Sequence, residues 1–129
     1  KKVTIHGSPS NIGSRMYLDC RNLADAWRHI LENEEFAKYE GDHTEMSKWN
    51  IAGLEEINNL ELAEKVAKVL GKELKYEFVD FHSTRPGHDL RYALSSAKIM
   101  ETGWVPPIPL EQTIKEVCDH IQSNPEWME

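Results

Sequence analysis

The chain has 129 residues, a formal net charge of −7 and a sequence pI near 5.4. Residues 1–129 are one domain by length, large enough to bury roughly two-thirds of the unfolded surface without staples. The acidic balance argues against a nucleic-acid backbone as partner, since that needs a net basic face, and no apolar run approaches the ~20 residues that span a bilayer.

Lys2–His6 alternates weakly and suits a short strand. The chain opens on this strand and without Met, which reads as a piece whose preceding part lies upstream. Gly7 to Ser14 is rich in turn formers, and Met16-Tyr17-Leu18 follows as a brief extended stretch. Asn22 is a good N-cap, with Asp25 three residues on. Leu23, Ala26, Trp27, Ile30 and Leu31 share one helical face, which predicts a helix to about residue 33. Residues 32–46 are acidic and polar and read as an exposed connection. Lys48–Ala52 reads as a buried strand ending at Gly53.

Asn58 with Glu61 at N3 forms a capping-box pattern. Leu62, Val66, Val69 and Leu70 give the following helix its apolar face, and Gly71 is its C′ residue. Leu74, Tyr76 and Phe78 alternate with Lys75 and Glu77, as in a half-buried strand. Ser95 or Ser96 caps a short helix that stops at Gly103. Pro106, Pro107 and Pro109 stiffen the next connection. Leu110, Ile114, Val117 and Ile121 mark the last helix, which Asn124-Pro125 ends. The sum is an α+β (mixed α/β) chain with three or four helices and short strands. Those strands are too few for a self-sufficient doubly wound sheet.

Chemistry concentrates at Arg85-Pro86-Gly87-His88-Asp89-Leu90-Arg91-Tyr92-Ala93. Pro86 pushes Arg85 toward an extended conformation, and Gly87 permits a turn that a Cβ would hinder. A guanidinium and an imidazole on one turn form a candidate anion site, the guanidinium fork being suited to phosphate oxygens. A surface loop with scattered charge has the same composition. Asp89 and Arg91 can form an ion pair that shapes the loop, and Tyr92 reads as packing. The six histidines include no HxxxH or HxH pair, so no metal site is expected. Cys20 and Cys118 fit a reduced, cytoplasmic chain.

Six segments in order carry a resemblance. They are Ser14 to Leu18 with Arg21 to Ala26, Trp49-Asn50-Ile51-Ala52-Gly53, Asn59 to Ala63, Arg85 to Ala93, Lys98 to Trp104, and Asn124 to Trp127. In this order they are similar to the carboxy-terminal, substrate-binding part of extended short-chain dehydrogenase/reductases, the NAD-dependent epimerase/dehydratase family. The Arg85–Asp89 run leans toward the dTDP-glucose dehydratase branch over the epimerases. The polar insertion at 32–47 is longer than the family pattern.

The resemblance implies a nucleotide-sugar-binding lobe. Arg15 matches an arginine that holds the nucleotide diphosphate; as a plain sequence feature it is a surface arginine at a strand start. Asn59 matches a nucleotide-sugar contact, and it is equally a helix N-cap shared with Asn58 at a terminus that favours phosphate. Arg85, Gly87 and His88 match a loop that closes over the nucleotide. Ile5 lies on a strand beside the base, with Val3 and Thr4. Arg15, Asn59, Arg85 and His88 are therefore expected on one concave surface.

The family's catalytic and cofactor residues lie in an amino-terminal Rossmann domain, and their patterns are absent here. The glycines form no GxxGxxG, no tyrosine is followed by lysine four residues on, and no Asp-Glu dipeptide occurs. The expectation is a chain that binds a nucleotide-diphosphate sugar without turning it over and without a cofactor of its own, NAD belonging to the parent enzyme. The missing Rossmann domain would be a partner, and its absence would expose an apolar face that drives self-association, homodimers being usual in the family. The alternatives are a UDP-sugar epimerase or decarboxylase fragment, and a stand-alone, non-catalytic binding module.

Overall fold

Among the described residues, two small three-stranded sheets and four helices position the polar side chains. A computed structural model describes residues 2–33, 48–80, 87 and 89–128. The strands are β1 (Val3–Ser8), β2 (Asn11–Ile12), β3 (Ser14–Met16), β4 (Glu56–Asn58), β5 (Tyr76–Val79) and β6 (Arg91–Tyr92). The helices are α1 (Cys20–Glu32), α2 (Asn59–Val69), α3 (Ala97–Met100) and α4 (Leu110–Ser123), followed by a 3-10 turn at Pro125–Met128.

The first sheet runs β2-β1-β5, with β1 antiparallel to β2 and parallel to β5. The second runs β4-β3-β6, with β3 antiparallel to β4 and parallel to β6. Gly13 alone separates β2 from β3, so the chain passes from one sheet to the other in a single residue. The stretch from Gly7 to Ser14, expected as a loop, is therefore largely strand. Turn formers at Pro9 and Ser10 close the β1–β2 hairpin, and the flanking residues find backbone partners on either side.

The core lies between α1, α3 and the segment after it. Ala26 and Ile30 of α1 pack with Ile99 and Trp104, and Trp49 and Ile51 cover the cluster. A four-residue helix such as α3 has little stability of its own; the fully buried Ile99 anchors it.

Two further expected elements take a different form. Helix α1 starts earlier than Asn22 because Asp19 is its N-cap, accepting from the Arg21 backbone N–H at 2.8 Å. Asn22 is buried instead, and its amide bonds both backbone groups of Ile108, at 2.8 and 2.9 Å. Lys48–Ala52 forms no strand, since the Ala52 N–H donates to Ser96 Oγ at 2.8 Å and not to a ladder. The strand in this region is β4, which follows Gly53. A Cβ on Gly53 would lie 1.9 Å from the Tyr17 carbonyl oxygen, so only glycine allows this approach.

Helix α1 buries the line Asn22–Ala26–Ile30 and leaves Leu23, Trp27 and Leu31 exposed on the adjacent line. In α4, Ile114 and Cys118 are buried, while Val117 is exposed. The α2 capping box is present as expected, with both reciprocal bonds made, and Gly71 takes φ 62° at its C′ position. Most of the polar stretch at 32–46 lies outside the described residues.

Candidate functional site

The site is built where β3, β6 and the start of α2 meet at Gly13. β3 pairs with β6 in the register Ser14↔Arg91 and Arg15↔Tyr92. The Ser14 N–H donates to the Leu90 carbonyl at 2.9 Å, and the Asn59 N–H donates to the Gly13 carbonyl at 2.9 Å. These two bonds bring residues from three distant parts of the chain to one point. A Cβ on Gly13 would lie 3.3 Å from Asn59 Nδ2 and 3.8 Å from Arg15 Nη1. The absent side chain leaves a notch beside which both nitrogens lie, with the Leu90 carbonyl oxygen 3.4 Å from the same point.

Arg15 is held by the backbone. Its Nη1 donates to the carbonyls of Ser14 (2.6 Å) and Leu90 (3.2 Å), and its Nη2 to that of Asp89 (3.4 Å). The guanidinium carbon lies 4.2 Å from the centre of the Tyr92 ring, a cation–π contact. Three of five N–H donors are thus used, and Nε is among those with no partner in the described residues.

Asn59 is the first helical residue of α2 and not its cap. Asn58 is the cap, and its Oδ1 accepts from the N–H groups of Leu60 (3.0 Å) and Glu61 (2.9 Å). The helix N-terminus is therefore satisfied by the chain itself, and what Asn59 offers is its side-chain amide. Its Oδ1 accepts from the Tyr17 hydroxyl at 3.3 Å, which orients Nδ2.

Glu56 closes the opposite face of β6. Its carboxylate accepts from Arg91 Nε (2.7 Å) and Nη2 (2.6 Å), and from Ser14 Oγ (2.5 Å). Bonding to Arg91, and next to Ser14, holds the Glu56 carboxyl down to about 2. The expected Asp89–Arg91 ion pair is not the arrangement found: Arg91 pairs with Glu56. Asp89 sits by the Tyr92 hydroxyl, whose ionisation it disfavours.

Among the expected site residues, Arg15 and Asn59 come together. Ile5 is buried in β1, opposite Phe78 of β5. Gly87 has φ 78° with open space where a Cβ would point. Arg85 and His88 lie outside the described residues. Gly13, Tyr17 and Glu56 were not marked by sequence reasoning. Glu56 carries a signal only once its pairing with Arg91 is known. A cavity of about 150 Å³ lies nearby, lined by Tyr17, Asp19, Asn22, Gly53, Ile108 and Thr113. Arg15 and Asn59 do not line it, and its polar groups Asp19 and Asn22 are bonded within the fold.

Two small sheets joined at a glycine, with helices packed against them, match part of the fold of a class, the short-chain dehydrogenase/reductase-like enzymes. No family model matches the chain. Over 129 residues it is 30% identical to the dTDP-D-glucose 4,6-dehydratase of Mus musculus, covering 96% of this chain and 33% of that protein. The crystal structure of dTDP-glucose 4,6-dehydratase from Bacillus anthracis, in complex with NAD, superposes with a TM-score of 0.71 at 27% identity over 98% of this chain and 36% of that one. The UDP-glucose 4-epimerase of Bifidobacterium longum, in complex with NAD+ and UDP, shares the fold at TM-score 0.69 and 20% identity, over 97% and 36% of the two chains. The chain is a relative of the dTDP-glucose 4,6-dehydratases within the NAD-dependent epimerase/dehydratases, and it spans about a third of the length of the proteins it matches.

Proposed function

We propose that this chain is the nucleotide-sugar-binding lobe of an NAD-dependent sugar-nucleotide dehydratase of the dTDP-glucose 4,6-dehydratase kind. The observation that carries the proposal is the convergence of Arg15 Nη1 and Asn59 Nδ2 on the notch at Gly13. A guanidinium with unused donors beside a side-chain amide suits the oxygens of a diphosphate. Arg85 and His88 would contact the same group. Ile5 and its neighbours on β1 would lie beside the base.

In the parent enzyme the reaction oxidises the hexose at C4, eliminates water across C5–C6 and returns the hydride, with NAD supplying the hydride chemistry. The lobe's share is to grip the nucleotide, so that binding energy remote from the hexose positions it for reaction. Among the described residues, the starts of α1 and α2 do not suit the pyrophosphate of NAD. The first N–H groups of α2 are bonded to Asn58 and Gly13, and α1 carries a buried carboxylate, Asp19, at its cap, where a pyrophosphate would need free donors. We therefore assign NAD to a separate Rossmann domain and expect the chain alone to be inactive.

The exposed line Leu23–Trp27–Leu31 supports association through α1, with that domain or with a second copy. Among the described residues no helix is long and apolar enough to cross a membrane. Cys20 and Cys118 are both free thiols, which supports a reducing, cytoplasmic location.

Calorimetric titration of the chain with dTDP-, UDP- and GDP-glucose tests the reading. Binding of dTDP-glucose in preference to the others supports it. Preference for the UDP sugar would move the assignment to the epimerases. Failure of all three to bind, with the chain folded, would leave the stand-alone module as the better description.

A further inference from the structure

We infer that Glu56 is a positioning residue for Arg15, acting through Arg91 and Tyr92 across the two-residue strand β6. The inference rests on the proposed role of Arg15 and deepens it.

β6 is too short to fix its own register, since two residues make few ladder bonds. What fixes it lies on its two faces. Successive strand side chains point to opposite sides. Arg91 points to β4 and meets Glu56 in a two-bond fork at 2.6 and 2.7 Å. Tyr92 points the other way, and its ring carries the Arg15 guanidinium at 4.2 Å. Glu56 also accepts from Ser14 Oγ, on the residue before Arg15. One carboxylate therefore binds both strands at the step where they pair, Ser14↔Arg91.

Apart from its bond to the Ser14 carbonyl, Arg15 depends on that pairing for its contacts. Its remaining acceptors, the carbonyls of Asp89 and Leu90, belong to the segment leading into β6. If β6 shifts, Arg15 loses the ring and both carbonyls together, and the guanidinium beside the notch is held only by its bond to Ser14. Glu56 is 35 positions from Arg91 in sequence and shares no direct bond with Arg15.

The test uses Glu56→Gln, which keeps shape and loses the charge, with two measurements on the 129-residue chain. The first follows the Arg15 Nε–H signal by NMR, assigned by its loss in Arg15→Lys. It should be rigid in the wild type and mobile in Glu56→Gln without ligand. The second is titration with thymidine diphosphate, where Glu56→Gln should weaken binding about tenfold, the scale of a lost charge-assisted bond. Glu56→Gln should add nothing further in an Arg15→Ala background, because the two act as one unit.

Should Glu56→Gln fail to fold, Arg91→Lys breaks the same fork and carries the same expectations. An Arg15 signal that stays rigid, with affinity unchanged, while Arg15→Ala weakens binding, overturns the inference and leaves the site intact. Binding that is indifferent to Arg15→Ala overturns the diphosphate reading instead, and the NMR signal still decides whether Glu56 holds Arg15.

Discussion

The Thr113 hydroxyl donates to Asp19 Oδ2 at 2.7 Å, across 94 positions of sequence. Asp19 also caps α1 and takes two bonds from the Arg21 guanidinium, at 3.0 and 2.8 Å. One buried carboxylate thus starts one helix and fastens it to the first turns of another. Asp19→Ala should destabilise the chain by about 2–4 kcal/mol, combining a lost cap with partners left unpaired. Thr113→Val should cost about 1 kcal/mol. Urea titration followed by circular dichroism measures both, and an Asp19→Ala loss below about 0.5 kcal/mol would show the cap to be dispensable.

Acid should unfold the chain through its carboxylates. Arg21 bonding holds Asp19 well below the usual carboxylate range, Arg28 and then Trp104 lower Asp25, and Arg91 and then Ser14 bring Glu56 to about 2. A group depressed on folding contributes stability that is present above its unfolded pKa, near 4, and lost as pH falls through the folded value. Urea midpoints should hold from pH 7 to about 5 and fall between about pH 4.5 and 2. Asp19→Asn should flatten that fall, and an unchanged slope would mean that Asp19 is not the main acid-labile group.

Gly53→Ala should be among the most damaging single-methyl additions. The new Cβ would meet the Tyr17 carbonyl oxygen at 1.9 Å and its carbon at 2.9 Å, both backbone atoms that cannot rotate away. A loss of at least about 2 kcal/mol is expected from such overpacking. A thermal midpoint within a degree or two of wild type would mean that the two segments separate easily.

Arg15→Ala should weaken thymidine diphosphate binding by about 1.5–3 kcal/mol, the range for a hydrogen bond to a charged group. Arg15→Lys should restore part of that, since an ammonium keeps the charge and loses the fork. Added salt should lower affinity in the wild type more than in Arg15→Ala. Equal salt dependence in the two proteins would remove Arg15 from the site.

The 129-residue chain should form no 4-keto sugar from dTDP-glucose with added NAD. The Tyr-x-x-x-Lys pattern and the glycine turn are absent from it. Turnover by pure chain would refute the division of labour between lobe and Rossmann domain.

Local chemistry was legible in the sequence where neighbours in the chain decide it. The Asn58–Glu61 capping box closes within one turn and needs nothing else, and Gly71 follows from its helix end. The ordered segments around Arg15 and Asn59 were enough to indicate the family of the lobe. The sequence did not show that Asp19 outcompetes Asn22 as the α1 cap. That choice depends on Thr113 reaching Asp19 and on Ile108 taking Asn22, both contacts from more than 80 positions away. Nor could it show β4 and β6, strands of three and two residues whose bonds are all non-local. Arg91 had Asp89 as its near partner in sequence, and the tertiary structure gave it Glu56. Capping and turn chemistry act over a few residues, so composition and spacing fix them; strand pairing and ion-pair choice depend on which distant segments meet, and here they meet at Gly13, where the chain passes from β2 of one sheet to β3 of the other.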